Sequence, residues 1–124
     1  MQLLSRNPAA AYRRVDLDAR IEASHSGDLT RICLEEVVAA LGQALAALDR
    51  APASPPREPL ARAHAIALWL AQSVADDNPL REHLLQFYGG IAAAIRRNVT
   101  HPDRDEIARA RADLADVLAA ARGA

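Results

Sequence analysis

The side chains in this sequence that could do chemistry are four histidines, one cysteine and a few short runs of like charge. Glu22 and His25 have the Glu-x-x-His spacing by which helices of di-iron bundles hold their metal ions. Such a site needs two copies of the motif and two further carboxylates that point inward. The sequence has no second copy, and this one precedes the first predicted helix. We therefore predict no metal site.

The remaining histidines and the cysteine do not suggest a catalytic group. His64 is flanked by alanines in an apolar helical pattern, which indicates a partly buried structural histidine. His83 and His101 fall near helix ends, where we expect them to be solvated. Cys33 lies in an apolar stripe and is expected to be an inert buried thiol. No nucleophile, base and orienting group are spaced to act together, so we predict a protein that is not an enzyme and needs no cofactor.

Two pairs of adjacent like charges stand out. Glu35 and Glu36 fall on the side of their predicted helix away from its richest apolar stripe, which is typical of a solvated face. Arg96 and Arg97 fall near the end of a predicted helix, where cations suit the helix dipole. Two interpretations of the arginine pair stay open: salt bridges within the protein, or contact with an acidic partner.

Length and composition restrict the class of protein. The 124 residues correspond to a single domain, residues 1–124, that can bury a core without disulfides or structural metal. The net charge of −1 and the pI of about 6.4 argue against a nucleic-acid binder and against a basic membrane-surface protein. The longest apolar run, residues 65–71, is too short to span a membrane, and the N-terminus does not resemble a signal peptide. By elimination we expect a cytoplasmic protein without membrane insertion.

Apolar residues recur at helical spacing in four segments, and no strand-like alternation is present in the sequence. A proline-rich connector at residues 51–59 separates the first two segments. Because the connections are short, the predicted fold is an all-α, antiparallel up-down four-helix bundle with a short N-terminal arm. The arm is predicted at residues 1–20, and the helices at about residues 27–50, 59–75, 79–99 and 102–121.

The last two connections carry helix-start signals. Asn78 and Pro79 suit the cap and the first helical position of the third helix. Thr100 and Asp103 have capping-box spacing before the fourth helix.

The third predicted helix is apolar on two adjoining stripes, one through Phe87 and one through Tyr88, so we expect it to lie between neighbours. It also contains two adjacent glycines, each of which costs a helix about 1 kcal/mol relative to alanine. A close helix crossing, a kink or the backbone of a partner could offset that loss. The sequence predicts an unusually close helix approach, inside the protein or with a partner, at Gly89, Gly90, Ala93 and Ala94.

The order of these features resembles the flagellar export chaperone family known as FliS. That family has a tyrosine in a short arm, an acid-Leu pair opening the first helix, a Leu-x-x-Leu-Tyr stretch in the third, and an Asn and an Asp before the last. The positions that match are Tyr12, Asp28, Leu29, Leu84, Phe87, Tyr88, Asn98 and Asp103. The chain departs from the family pattern at Ala23, Ser26, Leu34, Glu36, Gly89 and Gly90, and it lacks the terminal tryptophan.

The resemblance implies a cytoplasmic chaperone that binds the disordered C-terminal segment of flagellin as helices on its apolar surface. Binding would prevent premature polymerisation and assist type III flagellar secretion, with components of the export apparatus as further partners. A separate hypothesis follows from the apolar arm around Tyr12, which is too short to fold alone: the arm covers the binding groove until flagellin displaces it. The residues expected to contact the partner are Tyr12, Val15, Leu29, Ile66, Leu70, Leu84, Phe87, Tyr88 and Ile91.

An alternative function stays open at the level of the sequence. The same apolar surface suits a structural or regulatory bundle that forms a homodimer and binds no flagellin.

Overall fold

Residues 26–123 are the part of the chain that the computed structural model describes. Within them the chain forms four α-helices and no strand, which confirms the predicted all-α fold. The predicted arm, with Tyr12, Val15 and the motif of Glu22 and His25, lies outside the described residues. The helices are α1 (Ser26–Arg50), α2 (Arg57–Gln72), α3 (Arg81–Thr100) and α4 (Arg104–Gly123).

The four helices form a ring in which each helix packs against two neighbours. α1 packs on α2 and α4, while α3 packs extensively on α2 and much less on α4. Short turns join consecutive helices, so neighbouring helices run antiparallel. The described residues therefore form the antiparallel up-down bundle that the sequence predicts.

The core of the bundle consists almost entirely of aliphatic side chains. On α1 the apolar residues that recur at helical spacing are buried or packed against the core, and α2 and α4 each present one buried stripe. On α3 the stripe through Tyr88 faces the core, whereas the other stripe begins with Leu80, which is 59 % exposed. The largest fully buried side chains are Leu34, Leu41, Leu60, Leu70, Ile95, Ile107, Leu114, Val37 and Asn98.

Ion pairs join α1 to α4 near both ends of their contact. Arg104 at the start of α4 donates from Nε to Asp49 Oδ1 at 2.7 Å, and Arg122 near its end donates to Glu35 Oε2 at 2.9 Å. The Glu35 side chain, only 28 % exposed, also pairs with Arg31 at 3.4 Å. The prediction that Glu35 belongs to a solvated face is therefore wrong, because α4 covers it.

Gly42 on α1 lies beneath the side chain of Arg111, which reaches over from α4. A Cβ at Gly42 would lie 3.2 Å from Nε of Arg111, tighter than ordinary van der Waals contact. Without that Cβ, Arg111 crosses the surface of α1 and donates from Nε to the Val38 carbonyl oxygen at 3.3 Å. Gly42 of α1 thus leaves room for a side chain of the neighbouring helix α4.

A buried arginine links α1 to α2. Arg62 is 8 % exposed, and its Nη1 atom donates to both carboxylate oxygens of Glu58, at 2.6 and 2.9 Å. Its Nη2 atom donates to Gln43 Oε1 on α1. The guanidinium is therefore held by partners from both helices, which lowers the penalty of burying its charge.

The turn between α2 and α3 differs from its prediction. α2 ends at Gln72 rather than near residue 75, and α3 begins at Arg81 rather than at residue 79. Asn78 accepts a hydrogen bond from the Leu80 backbone N–H at 2.8 Å, and its carbonyl accepts from the Arg81 N–H at 3.0 Å. Asn78 thus forms an Asx-turn that leads into the helix instead of capping it, which starts α3 two residues later than predicted.

Asn98 connects the end of α3 to the start of α4. Its side chain is 1 % exposed, and its Nδ2 atom donates to the Ala94 carbonyl at 2.7 Å and to Glu106 Oε1 at 2.6 Å. Its Oδ1 atom accepts from the Asp103 backbone N–H at 2.5 Å. Arg97 and Asn98 both donate to Glu106, and these hydrogen bonds lower the pKa of the Glu106 carboxyl below its ordinary value. The network fixes the geometry of the α3–α4 turn.

Asp103, and not Thr100, caps α4. Its Oδ1 atom accepts from the backbone N–H groups of Asp105 at 3.0 Å and Glu106 at 3.2 Å. Asp103 therefore satisfies two of the N–H groups that a helix start leaves without partners. The predicted capping box of Thr100 and Asp103 is wrong, because Asp103 is itself the N-cap.

Of the two alternatives predicted for the close helix approach on α3, the approach inside the protein is absent from the described chain. Gly89, Gly90 and Ala93 are exposed, and a Cβ built at either glycine would meet no atom of another part of the described chain within 4 Å. Internal packing therefore does not offset the loss of helix stability that the glycines cause.

Candidate functional site

An open groove runs along the bundle between α2 and α3, with a volume of about 900 Å³. We call it the α2–α3 groove. Most of its side chains are alanine, glycine or other apolar residues, and its charged groups lie toward one end. Its lining residues are Ala61, His64, Leu68, Gly89, Ala92, Ala93, Arg96, Arg97, Val99 and Thr100.

Small side chains on both walls open this groove. Ala61 lines it on α2, opposite Gly89 and Ala93 on α3. Since none of the three reaches beyond Cβ, the outer surfaces of the two helices leave room that larger side chains would fill. Leu68, 40 % exposed, is the large apolar side chain on this surface. The resulting shape admits the backbone of a third helix at close range.

The polar end of the groove consists of His64 on α2 and Arg96 on α3. His64 is half-buried, as the sequence predicts, but it borders open space rather than the core. Partial burial, followed by the positive charge of Arg96, lowers the pKa of the His64 imidazole. The polar end therefore holds the positive charge of Arg96 beside an imidazole whose lowered pKa favours its neutral form.

The two arginines of the pair Arg96 and Arg97 differ in their contacts, and each fits a different one of the two interpretations that the sequence left open. Arg97 donates from Nη2 to Glu106 Oε2 at 2.6 Å, so it forms a salt bridge within the protein. Arg96 is exposed and has no carboxylate partner among residues 26–123. Within the described residues, Arg96 is therefore the member of the pair that can meet an acidic group in the groove.

A second, smaller cleft of about 260 Å³ lies where the start of α1 meets the end of α2 and the start of α3. We call it the end cleft. Four of the predicted partner-binding residues line it: Leu29, Leu70, Leu84 and Tyr88. Burial raises the pKa of the Tyr88 phenol, and the adjacent Cys33 adds to the effect. The sequence thus identified side chains that the fold brings together in one place.

The other predicted partner-binding residues of the described chain lie elsewhere. Ile66 and Ile91 are buried in the core, at 4 % and 7 % exposed. Phe87 is half-buried and packs against Tyr88, with ring centroids 5.4 Å apart. Tyr12 and Val15 lie outside the described residues. None of the seven predicted partner-binding residues that the structure describes lines the α2–α3 groove.

Sequence patterns missed the groove because it is defined by small residues rather than large ones. Leu68 falls outside the apolar stripe of α2, and Ala61 carries no distinguishing signal of its own. The one available signal was the adjacent pair Gly89 and Gly90, which marked an unusual surface but not the side of the helix on which it lies.

In the part of the chain that the structure describes, no three His, Cys, Asp or Glu side chains are grouped so as to hold a metal ion. Cys33 is buried, as predicted, at 3 % exposed. Among the helices of residues 26–123, none combines the length and the apolar character that crossing a membrane requires.

Compared with known proteins, the chain matches no family model, no curated protein and no solved structure. The structural class of the protein is therefore taken from its own fold. It is an antiparallel four-helix bundle with an open, small-residue groove between its second and third helices.

The lowered pKa of His64 predicts a pH dependence of stability. In the unfolded chain the His64 imidazole has a pKa of about 6.5, so it takes up a proton at a higher pH than in the folded chain. The His64 contribution to stability is therefore lost as the pH falls through the unfolded pKa. We expect His64→Gln to lose less stability than wild type between about pH 8 and about pH 5.5 in urea unfolding. His83→Gln, at an exposed position, is the control, and its free energy of unfolding should vary with pH as that of the wild type does. If the free energy of unfolding varies equally with pH in all three proteins, the prediction is wrong.

Proposed function

We propose that the protein is a cytoplasmic export chaperone that binds the disordered C-terminal segment of flagellin. In this proposal the segment folds into an amphipathic helix that occupies the α2–α3 groove. The open groove itself is the observation that carries the proposal. A bundle that only had to fold would gain stability from alanine at Gly89 and Gly90, where nothing within 4 Å obstructs a Cβ.

The shape of the groove supports a helical occupant. Helix-in-groove recognition needs an apolar channel that meets one face of the incoming helix. Gly89 and Ala93 allow that helix to approach the backbone of α3, while the exposed Leu68 offers an apolar contact from α2. The resemblance to the FliS family supplies the identity of the client.

Coupled folding and binding suits an export chaperone. A disordered segment that becomes helical on binding spends part of its interaction energy on ordering, so the complex is weaker than its contact area suggests. Flagellin held in this way would be kept from polymerising and could still be released for secretion through the type III export apparatus.

The second candidate is a structural or regulatory homodimer. Leu68 and Leu80 are the large apolar side chains most exposed in the described part of the chain, at 40 % and 59 %. A two-fold arrangement would bury the same patch of each copy against its equivalent. Such a dimer would form without any client.

Size-exclusion chromatography with light scattering distinguishes the two functions. The full chain would be measured alone and with the C-terminal segment of the flagellin encoded in the same genome. We expect a monomer that becomes a one-to-one complex when the segment is added. A dimer whose mass does not change on addition of the segment would overturn the chaperone proposal and support the homodimer.

A further inference from the structure

The polar end of the α2–α3 groove has a charge that the rest of the bundle does not neutralise. Within the described chain, every other arginine of α3 has an acidic partner: Arg81 pairs with Asp76, and Arg97 pairs with Glu106. Arg96 is exposed and has none, and it points its positive charge toward a groove whose other end is apolar.

The neighbours of Arg96 in the groove favour a single negative charge. The titratable and charged side chains that line the groove are His64 from α2, and Arg96 and Arg97 from α3. Arg97 is already paired, so one guanidinium and one imidazole remain. A carboxylate carries one negative charge and binds a single guanidinium with two parallel hydrogen bonds, and a polypeptide partner supplies it without modification. Its charge would also favour a proton on the imidazole.

From these observations we infer that the polar end of the groove, His64 and Arg96, binds a carboxylate carried by the helix that docks in the groove. The inference rests on the proposed helix-binding function and names the determinant by which that site selects its partner. The carboxylate can come from a Glu or Asp side chain or from the end of the docked chain.

The geometry of α3 sets the position of this carboxylate on the partner. Arg96 follows Gly89 by seven residues, which is a rise of about 10 Å along the helix axis. A helix docked along α3 therefore places its acidic residue about two turns from the small residue that faces Gly89. Partners with this spacing should bind, and those with a neutral residue at the acidic position should bind less well.

Two probes test the inference. The first is the flagellin C-terminal segment, labelled for fluorescence anisotropy. The second is a pair of designed helical peptides, with alanine at the position that faces Gly89 and either Glu or Gln two turns away. Each peptide is made with a free and with an amidated C-terminus, which separates a side-chain carboxylate from a terminal one.

We expect Arg96→Ala to weaken binding of the flagellin segment about fivefold to tenfold, as for a partly exposed charge-assisted hydrogen bond. Arg109→Ala, which removes an exposed arginine from α4, is the matched control and should not change affinity. In nuclear magnetic resonance titrations, the wild-type protein should respond to a peptide with a carboxylate at lower concentrations than to its neutral counterpart. The His64 imidazole should gain a higher pKa in the complex, and Arg96→Ala should remove the difference between the peptides.

The outcomes separate the inference from the function on which it rests. If the flagellin segment binds but Arg96→Ala and Arg109→Ala have equal affinity, the inference is wrong and the chaperone function stands. If the segment does not bind at all, the chaperone function is wrong, and the designed peptides alone decide the inference. The carboxylate inference is wrong if the charged and the neutral peptide bind equally well, or if neither of them binds. Circular dichroism melting confirms that each variant is folded.

Discussion

Gly89→Leu is expected to weaken binding of the proposed client strongly while leaving the bundle folded. A Cβ at this position meets nothing within 4 Å, so the larger side chain extends into the groove instead of into the core. There it occupies the space at which the backbone of a docked helix would approach α3. We expect the affinity for the flagellin segment to fall by about tenfold or more, which corresponds to about 1.4 kcal/mol.

Folding stability should change in the opposite direction. Replacing a glycine inside a helix by leucine removes a penalty of about 0.5–1 kcal/mol, since leucine is a far better helix former. Thermal unfolding followed by circular dichroism should therefore show an equal or higher midpoint for Gly89→Leu. Loss of binding together with a gain in stability separates an occupied groove from a damaged fold.

Gly90→Leu is the matched control for this prediction. Gly90 is the next residue of the same helix, is equally exposed and has equally free space around it, but it does not line the groove. Its replacement should raise stability in the same way and leave binding intact. If Gly89→Leu binds as well as wild type, the groove is not the client site. If Gly90→Leu alone loses binding, the client lies on the side of α3 nearer to α4.

Asn98→Ala is expected to cause the largest loss of stability of any single substitution discussed. The substitution removes the acceptor of the Asp103 backbone N–H and the side-chain donor to Glu106. A buried polar group left without its partner costs about 1–3 kcal/mol, and the substitution also leaves a small void. We expect the free energy of unfolding to fall by about 2–3 kcal/mol, measured by urea unfolding.

Two further variants test whether the hydrogen-bond network is the cause. His101→Ala changes an exposed residue of the same turn and should alter stability little. Asn98→Asp keeps an acceptor for the Asp103 N–H but replaces the donor to Glu106 with a second carboxylate. Its stability should recover as the pH falls and one of the two carboxyl groups takes up a proton. An Asn98→Ala protein as stable as His101→Ala would show that the network contributes nothing.

The helices and most of the core could be predicted from the sequence because both depend on local spacing. Apolar residues at helical intervals predict a helix and its buried face from the chain alone, as they do for Leu34 and Leu41 on α1. Proline-rich and Asn-Pro segments end helices for equally local reasons. The helix boundaries could be predicted less accurately. An Asx-turn and a helix cap at Asn78 both require an asparagine there and differ only in backbone geometry, so the sequence does not distinguish them.

The candidate site could not be predicted in the same way. α3 has two apolar stripes, and the positions of α2 and α4 decide that the one through Tyr88 is buried more completely. The sequence indicated that Gly89 and Gly90 lower helix stability, but only the packing of the bundle shows that no neighbour approaches them. The partner-binding residues chosen as large apolar side chains therefore fall in the core or the end cleft.

By itself the sequence determined that this protein is an all-α, antiparallel four-helix bundle with an aliphatic core. Hydrophobic periodicity and short connections are properties of neighbouring residues, and they leave few other arrangements. Tertiary structure alone decided that Gly42 rather than Gly89 makes room for a side chain of a neighbouring helix, and that Asn98 is buried. It also decided that Arg96 stays unpaired beside an open groove, within the described chain. Each of these depends on which residues distant in sequence meet across helices, and no local pattern contains that information.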